Sequence, residues 1–215
     1  KWHQIPIRHL APEATIGWTP LHHHCRKWAK DGSWQASWIE LLANNRRELD
    51  MSSVQLDGSH TPAKKGGEAV GYQGRKASKT TNSLFLADNS GQMIAMATPQ
   101  SGSHHDLFEI EKAFKEMDNQ LKSAGIDTRG IFLNADAGFD SNELRSICIQ
   151  KEIEANIKMN PRNTKQDDQE THFFDEKLYQ RRIVIERANA WIDGFRALIN
   201  RFETTLSSWM ALHWI

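Results

Sequence analysis

Ser53-Val54-Gln55-Leu56-Asp57 alternates polar and apolar residues like a short strand and ends on an acid. A second stretch, Ile131-Phe132-Leu133, reads as a short buried strand running into Asn134-Ala135-Asp136. Two strands that each finish on an aspartate are the reading from which the rest of the fold is built.

Between them, residues 58–82 are rich in Gly, Lys, Ser and Thr and read as a loop or loose hairpin. Ser83 to Ala87 and Met93 to Thr98 are apolar runs parted by the turn signal Asp88-Asn89-Ser90-Gly91, which predicts a β-hairpin. Asp106-x-x-Glu109 predicts a capping box opening a helix, with Leu107, Ile110, Phe114, Met117 and Leu121 inward and Gly125 at its end. Asp140-x-x-Glu143 predicts the start of a further helix, and Glu154 to Lys158 a further strand. Pro161 to Glu176 reads as a polar, acid-rich loop. Val184, Ala188, Trp191, Phe195, Leu198 and Phe202 recur at helical steps and predict one long final helix with a continuous buried stripe. Trp191 is therefore expected in the core, with stacking on an extruded base as the alternative.

Residues 1–50 read as a helical segment. Thr19-Pro20 introduces a helix over His22 to Lys30, Asp31-Gly32 stops it, and Ser33 is placed to cap the next, where Trp34, Trp38, Leu41 and Leu42 share a face. The expected organisation is a helical segment over 1–50 and an α/β domain over 51–215, with mixed strands flanked by helices. The chain opens at Lys1 without an initiator Met and stops at Trp214-Ile215, so trimming at both ends is expected.

Composition narrows the class. No stretch approaches the roughly eighteen apolar residues of a membrane span, no signal-peptide core follows Lys1-Trp2-His3-Gln4, and the two cysteines form no CxxC pair, so a cytoplasmic protein is expected. Formal net charge is zero, which argues against a small dedicated DNA-binding module. The charge is unevenly spread, however. Lys64, Lys65, Arg75, Lys76 and Lys79 cluster in one segment and Arg181, Arg182, Arg187, Arg196 and Arg201 in another, and such local patches can bind phosphates.

Asp57, Asp136 and Glu186 lie at or across the ends of predicted elements. Ends of neighbouring strands can converge, and a helix packed across them can add a third acid. Three carboxylates brought together repel one another unless cations sit between them. Hard oxygen ligands of this kind suit Mg²⁺ or Mn²⁺, and two such ions about 4 Å apart can serve an in-line phosphoryl displacement. On the final helix Tyr179, Arg182, Glu186, Asn189 and Asp193 project to one side. An ordinary amphipathic helix would also show a polar face, and Arg182 with Glu186 is equally an i,i+4 ion pair.

Several ordered blocks resemble the IS5-like DDE transposases of bacterial insertion sequences. Val54-Gln55-Leu56-Asp57-Gly58-Ser59-His60, with Gly66-Gly67-Glu68 and Gly71 to Lys76, is similar to that family's first catalytic block. Gly102-Ser103-His104-His105-Asp106 resembles its G-x-x-H-D segment, and Asn134 to Ser141 its A-D-x-G-Y-D-S block. Ile185-Glu186-Arg187 with Trp191-Ile192 and Phe195-Arg196 resembles the block carrying the glutamate. Tyr179, Arg182 and Glu186 match the Y-x2-R-x3-E signature, while Asp193 stands where the family has a basic residue, a role Arg196 can partly take. Cys25 to Trp34 is similar to the helical region upstream of the catalytic domain.

The resemblance implies an RNase H-like catalytic domain and a two-metal DNA transposase. Asp57, Asp136 and Glu186 would be the catalytic, Mg²⁺-holding residues, with Mn²⁺ able to substitute. Lys64, Lys65, Arg75, Lys76, Lys79, Tyr179, Arg182 and Arg196 would contact DNA phosphates. His60 would support the metal ligands from behind. It also implies double-stranded DNA partners, namely the element's terminal repeats and the target, and a homodimer or larger assembly near the nucleoid. The competing readings are an RNase H-like nuclease that cuts without joining and a truncated copy without catalysis. His22-His23-His24 is read as part of a helix, because consecutive helical residues point about 100° apart and cannot grip one ion together.

Overall fold

In the computed structural model, residues 18–162 and 172–215 are described. The helical reading of residues 1–17 and the middle of the acid-rich loop, 163–171, fall outside them.

Strand β1 is longer than its alternation suggested, running from Ser53 to Pro62. It pairs antiparallel along its length with β3 (Ser78–Ala87), Asp57 opposite Phe85 and His60 opposite Asn82. Residues 58–62, read as loop, are strand because β3 satisfies their backbone groups, which no local pattern records. β4 (Met93–Met96) pairs antiparallel with the outer edge of β3, completing the expected hairpin, and β2 (Gly71–Gln73) and β5 (Gln100–Ser101) occupy the rest of that edge. On the other side β6 (Phe132–Ala135) runs parallel to β1, and β7 (Glu154–Ile157) parallel to β6. The order β4-β3-β1-β6-β7, three antiparallel strands followed by two parallel ones, is the RNase H-like arrangement.

One face of this sheet buries Val54, Leu56, Leu84 and Leu86 against α3 (Ile110–Ser123), whose Ile110, Phe114, Met117 and Leu121 form the predicted stripe. The helix closes at Gly125, with φ +72°, in a Schellman motif: Ile126 N–H donates to the Leu121 carbonyl and Gly125 N–H to that of Lys122. Its start differs from expectation. Glu109 holds the cap position with no side-chain cap bond, so Asp106 and Glu109 form no capping box. Helix α4 (Asn142–Gln150) is likewise capped not by Asp140 but by Ser141, whose hydroxyl accepts from Leu144 N–H. Asp140 instead pairs with Arg145 at 2.8 Å and accepts from Asn160 N–H.

Helix α1 (Trp18–Lys30) packs on α2 (Ser33–Asn45). Gly32, at φ +81°, sits at the cap of α2, and it is the Asp31 carboxylate that accepts from Ser33 N–H, so Ser33 does not cap. The final helix is also corrected. After α5 (Glu176–Tyr179) and a 3₁₀ turn, α6 spans Ile183–Asp193 and stops at Gly194. Phe195 is extended and starts the short α7 (Arg196–Ile199). The helical backbone is interrupted at Phe195, so the stripe is not continuous. Ala188 and Leu198 are buried, whereas Trp191 is 68% exposed, Phe195 46% and Phe202 40%.

The chain closes with α8 (Leu206–Trp214), which packs on α1 and α2. Its His213 meets Trp209 edge-on and Phe85 at a tilt and donates Nδ1–H to the Trp209 carbonyl, and burial pushes its pKa down to about 4. The unfolded chain takes up the proton near the ordinary 6.5 and the folded one only near 4. Stability from this residue is therefore complete above about pH 6.5 and is lost progressively as pH falls toward 4. Melting temperatures across that window should decline less steeply in His213→Gln than in the parent; equal slopes would exclude His213 as the cause. Among the described residues no helix is long and apolar enough to cross a membrane.

Candidate active site

Pairing between β1 and β6 ends at Gln55 and Asn134. Asp57 lies two residues beyond on β1, and Asp136 directly follows β6. Because the two strands are parallel neighbours, both acids emerge at the same end of the sheet, the usual place for a ligand in such folds. Asp136 opens a 3₁₀ turn over Ala137–Phe139 by accepting from Gly138 N–H at 2.7 Å. A Cβ on Gly138 would sit 2.9 Å from the same carboxylate oxygen, so the glycine keeps that turn tight.

Helix α6 and the 3₁₀ turn before it lie across this end. Asn189 Nδ2 donates to Asp57 Oδ2 at 2.8 Å, and Arg182 Nη2 stands 3.8 Å from Asp57 Oδ1. Burial pushes the Asp57 carboxyl up to about 6, the Arg182 charge and the Gly58 N–H pull it back, and the negative charges of Asp136 and Asp106 push the same way as burial. Arg182 is held in turn by Tyr179, whose hydroxyl accepts from Nη1 at 3.4 Å and whose ring centroid lies 5.5 Å from the guanidinium carbon. Its Nε is buried with no partner among the described residues.

Two buried asparagines dock this segment on the sheet. Asn156 of β7 donates to Asn134 of β6 at 2.7 Å and also to the Asp175 carbonyl, accepts from Asp175 N–H, and Asn134 donates to the Leu178 carbonyl. The side-chain amides thus substitute for a missing strand partner and set where Tyr179 and Arg182 stand. Sequence reasoning assigns Asn134, Asn156 and Asn189 no place in the site. Only the spacing of Asn189 from Arg182 and Glu186 on one helix face signals any of them.

The structure therefore brings Asp57, Asp136, Tyr179 and Arg182 together. Glu186 lies between Arg182 and Asn189 on the same face of α6 but is exposed. Among the described residues no three His, Cys, Asp or Glu side chains are gathered closely enough to hold a metal ion, so the three expected acids do not close into one group. Asp57 instead accepts from Asn189 and stands in an ion pair with Arg182. The donor chemistry at the Asp57–Asp136 pair nevertheless suits a hard divalent cation: these are oxygen ligands whose mutual charge and desolvation a cation would relieve.

His60 shares its face of β1 with Leu56 and Gly58, opposite to Asp57. Its Nδ1 bonds the Thr80 hydroxyl, its Nε2 lies 3.4 Å from Gln73 Nε2, and burial lowers its pKa. Lys76 donates to the His60 carbonyl at 2.6 Å. Lys64, Lys65, Arg75, Lys79 and Arg196 are exposed, and no bond from them to Asp57 or Asp136 is present among the described residues.

Comparison with known proteins gives the same frame. No curated protein matches the chain. Among solved structures, a Mos1 transposase paired-end complex with left transposon end aligns at 12% identity with a TM-score of 0.38, covering 96% of this chain and 69% of that one; the strand order, not this likeness, defines the fold. A family model for the DDE superfamily endonuclease matches residues 50–212, from just before β1 to within α8. The chain accordingly belongs to the DDE superfamily endonuclease family.

Proposed function

We propose that the chain is a DNA transposase of the IS5-like group, cutting at insertion-sequence ends and joining them to target DNA. The observation that carries this reading is the pair Asp57 and Asp136 just beyond the point where the parallel pairing of β1 and β6 ends, with Arg182, Glu186 and Asn189 laid across them on one helix face. Asp57 and Asp136 would hold Mg²⁺, with Mn²⁺ as substitute, and Glu186 would complete the set. Two such ions would activate the attacking oxygen and stabilise the leaving one during phosphodiester cleavage and transfer.

The protein's own groups do the rest. Asn189 fixes the rotamer of the Asp57 carboxylate. Arg182, oriented by Tyr179, offers a planar guanidinium beside the acids, suited to a phosphate oxygen. Lys64, Lys65, Arg75, Lys76, Lys79 and Arg196 would meet the DNA backbone without reading sequence. His60 would support the β1 backbone next to Asp57. The reading includes a homodimer or larger assembly holding two element ends, acting in the bacterial cytoplasm.

The test is Mg²⁺- or Mn²⁺-dependent cleavage and strand transfer on DNA carrying the element's own ends, run beside Glu186→Gln. Joining that is lost in the variant supports the reading. Cutting without joining would assign a nuclease, and neither activity from folded protein would assign a copy without catalysis. In the same assay Asn189→Ala should lower the rate about 10–100-fold, the usual cost of removing a group that orients a ligand. An unchanged rate would show that Asp57 needs no such support.

A further inference from the structure

The hairpin of β2 and the start of β3 carries Arg75, Lys76 and Lys79, and no acid falls between Glu68 and Asp88. Glu68 is itself engaged, accepting from Leu206 N–H at 2.7 Å. Arg75 and Lys79 are exposed and form no ion pair among the described residues. Positive charge left unneutralised in this way suits a polyanion.

The hairpin is held in shape. Lys76 Nζ donates to the His60 carbonyl at 2.6 Å, and Gln73 Nε2 lies 3.4 Å from His60 Nε2, so both tie it to β1. Any side chain at Gly71 would collide with Ser101 and Ser103. Ala77 closes the turn at φ +46°, a left-handed backbone that alanine disfavours, and donates its N–H to the Gly74 carbonyl. The cations thus stand on a preorganised element, which lowers the ordering cost of binding.

Sheet register then places an aromatic ring among them. Asp57 is opposite Phe85, and Lys79 lies an even number of residues before Phe85 on β3, so Lys79 opens on the face that carries Asp57. Tyr72 is the cross-strand partner of Lys79 and shares that face. The guanidinium of Arg201 covers Thr81, between the two ends of this face. Tyr72 lies past that cover and is 60% exposed, with no ring or hydrogen-bond partner for its side chain among the described residues. Along β3 the separation from Asp57 is about 20 Å, the length of about six base pairs, so a DNA strand held at Asp57 is long enough to reach it. Base faces inside a duplex are already stacked on one another, and an open tyrosine ring is met by a base that is not.

We propose that the hairpin Gly71–Lys79 is a platform for single-stranded DNA, with Tyr72 stacking on an unpaired base and Arg75 and Lys79 holding the phosphates beside it. The proposal rests on the reading of the chain as a protein that acts on DNA, and it names the form of DNA that the hairpin takes.

Fluorescence anisotropy of the full chain with a labelled oligothymidine of about 12 nucleotides tests it, in EDTA so that no metal site contributes. A labelled duplex of the same length runs beside it. Tyr72→Ala should weaken single-strand binding about tenfold, with Tyr72→Phe close to the parent, duplex binding unchanged and the melting temperature unmoved. The dependence of log K on log salt should keep its slope in Tyr72→Ala, because stacking releases no counterions, and should fall by about 0.7 in Arg75→Gln and in Lys79→Gln. Parent-like binding by Tyr72→Ala would overturn the proposal and leave the DNA reading standing. So would equal losses in Tyr72→Phe and Tyr72→Ala, which would assign a hydroxyl contact instead of a stack. A parent that binds neither oligonucleotide would sink the DNA reading and the proposal with it.

Discussion

Asp57→Asn should lose metal-dependent DNA cleavage by a factor on the order of 10³ or more while melting no lower than the parent. The carboxylate is the most perturbed acid of the site, raised to about 6 by burial and by the neighbouring charges of Asp136 and Asp106. Keeping it ionised therefore costs the fold something, and the neutral amide removes that cost. The Asn189 contact at 2.8 Å survives, because the amide oxygen still accepts. Function responds oppositely. A ligand charge contributes several kcal/mol of transition-state stabilisation, and about 4 kcal/mol corresponds to roughly a thousandfold in rate. Activity and stability moving in opposite directions is the pattern of a functional site maintained against the fold's interest. Cleavage rates and melting curves on one preparation decide it. A variant that cleaves within tenfold of the parent would remove Asp57 from the chemistry.

The largest stability effect is expected at Trp209, where truncation to Ala should cost about 3–5 kcal/mol. Trp209 is wholly buried in α8, edge-on to His213 at 4.6 Å and 5.9 Å from the Arg201 guanidinium. Arg201 is itself buried, donating Nε to the Glu203 carbonyl and Nη1 to the Thr81 hydroxyl on β3. Its backbone bridges Ala63 just past the end of β1. Removing the indole would open a cavity and deprive a buried cation of its aromatic face. Urea unfolding of Trp209→Ala and Trp209→Phe measures this, with the smaller loss expected for Phe. A cost below about 1 kcal/mol for the Ala variant would mean that α8 contributes little to holding the sheet.

How far the sequence can be read depends on what each residue answers to. The hairpin at Asp88-Asn89-Ser90-Gly91, the stripe of α3 and its Gly125 stop were legible, because turn chemistry and 3.6-residue periodicity are local. Asp136 was legible as the acid that follows a short strand, whereas Asp57, read as closing its strand, lies inside β1, which continues to Pro62. Misreadings fell where a side chain serves a distant partner. Asp106 and Asp140 both sit in capping patterns, yet one is bound to Asn82 and the other to Arg145 and Asn160. The apolar steps from Val184 to Phe202 implied one helix, but the chain breaks after Gly194 and leaves Trp191 exposed.

By itself, then, the sequence determined the β3–β4 hairpin, helix α3, the strand that runs into Asp136 and the polar helix face of Arg182, Glu186 and Asn189, all set by interactions within a few residues of chain. Only the tertiary structure decided that Arg182 and Asn189 reach Asp57, that Asn134 and Asn156 dock the segment carrying Tyr179, and that Asp106 lies over Gly58. Those contacts join residues far apart in the chain, and their geometry follows from sheet register and from which buried polar groups must find a partner, neither of which has a local signature.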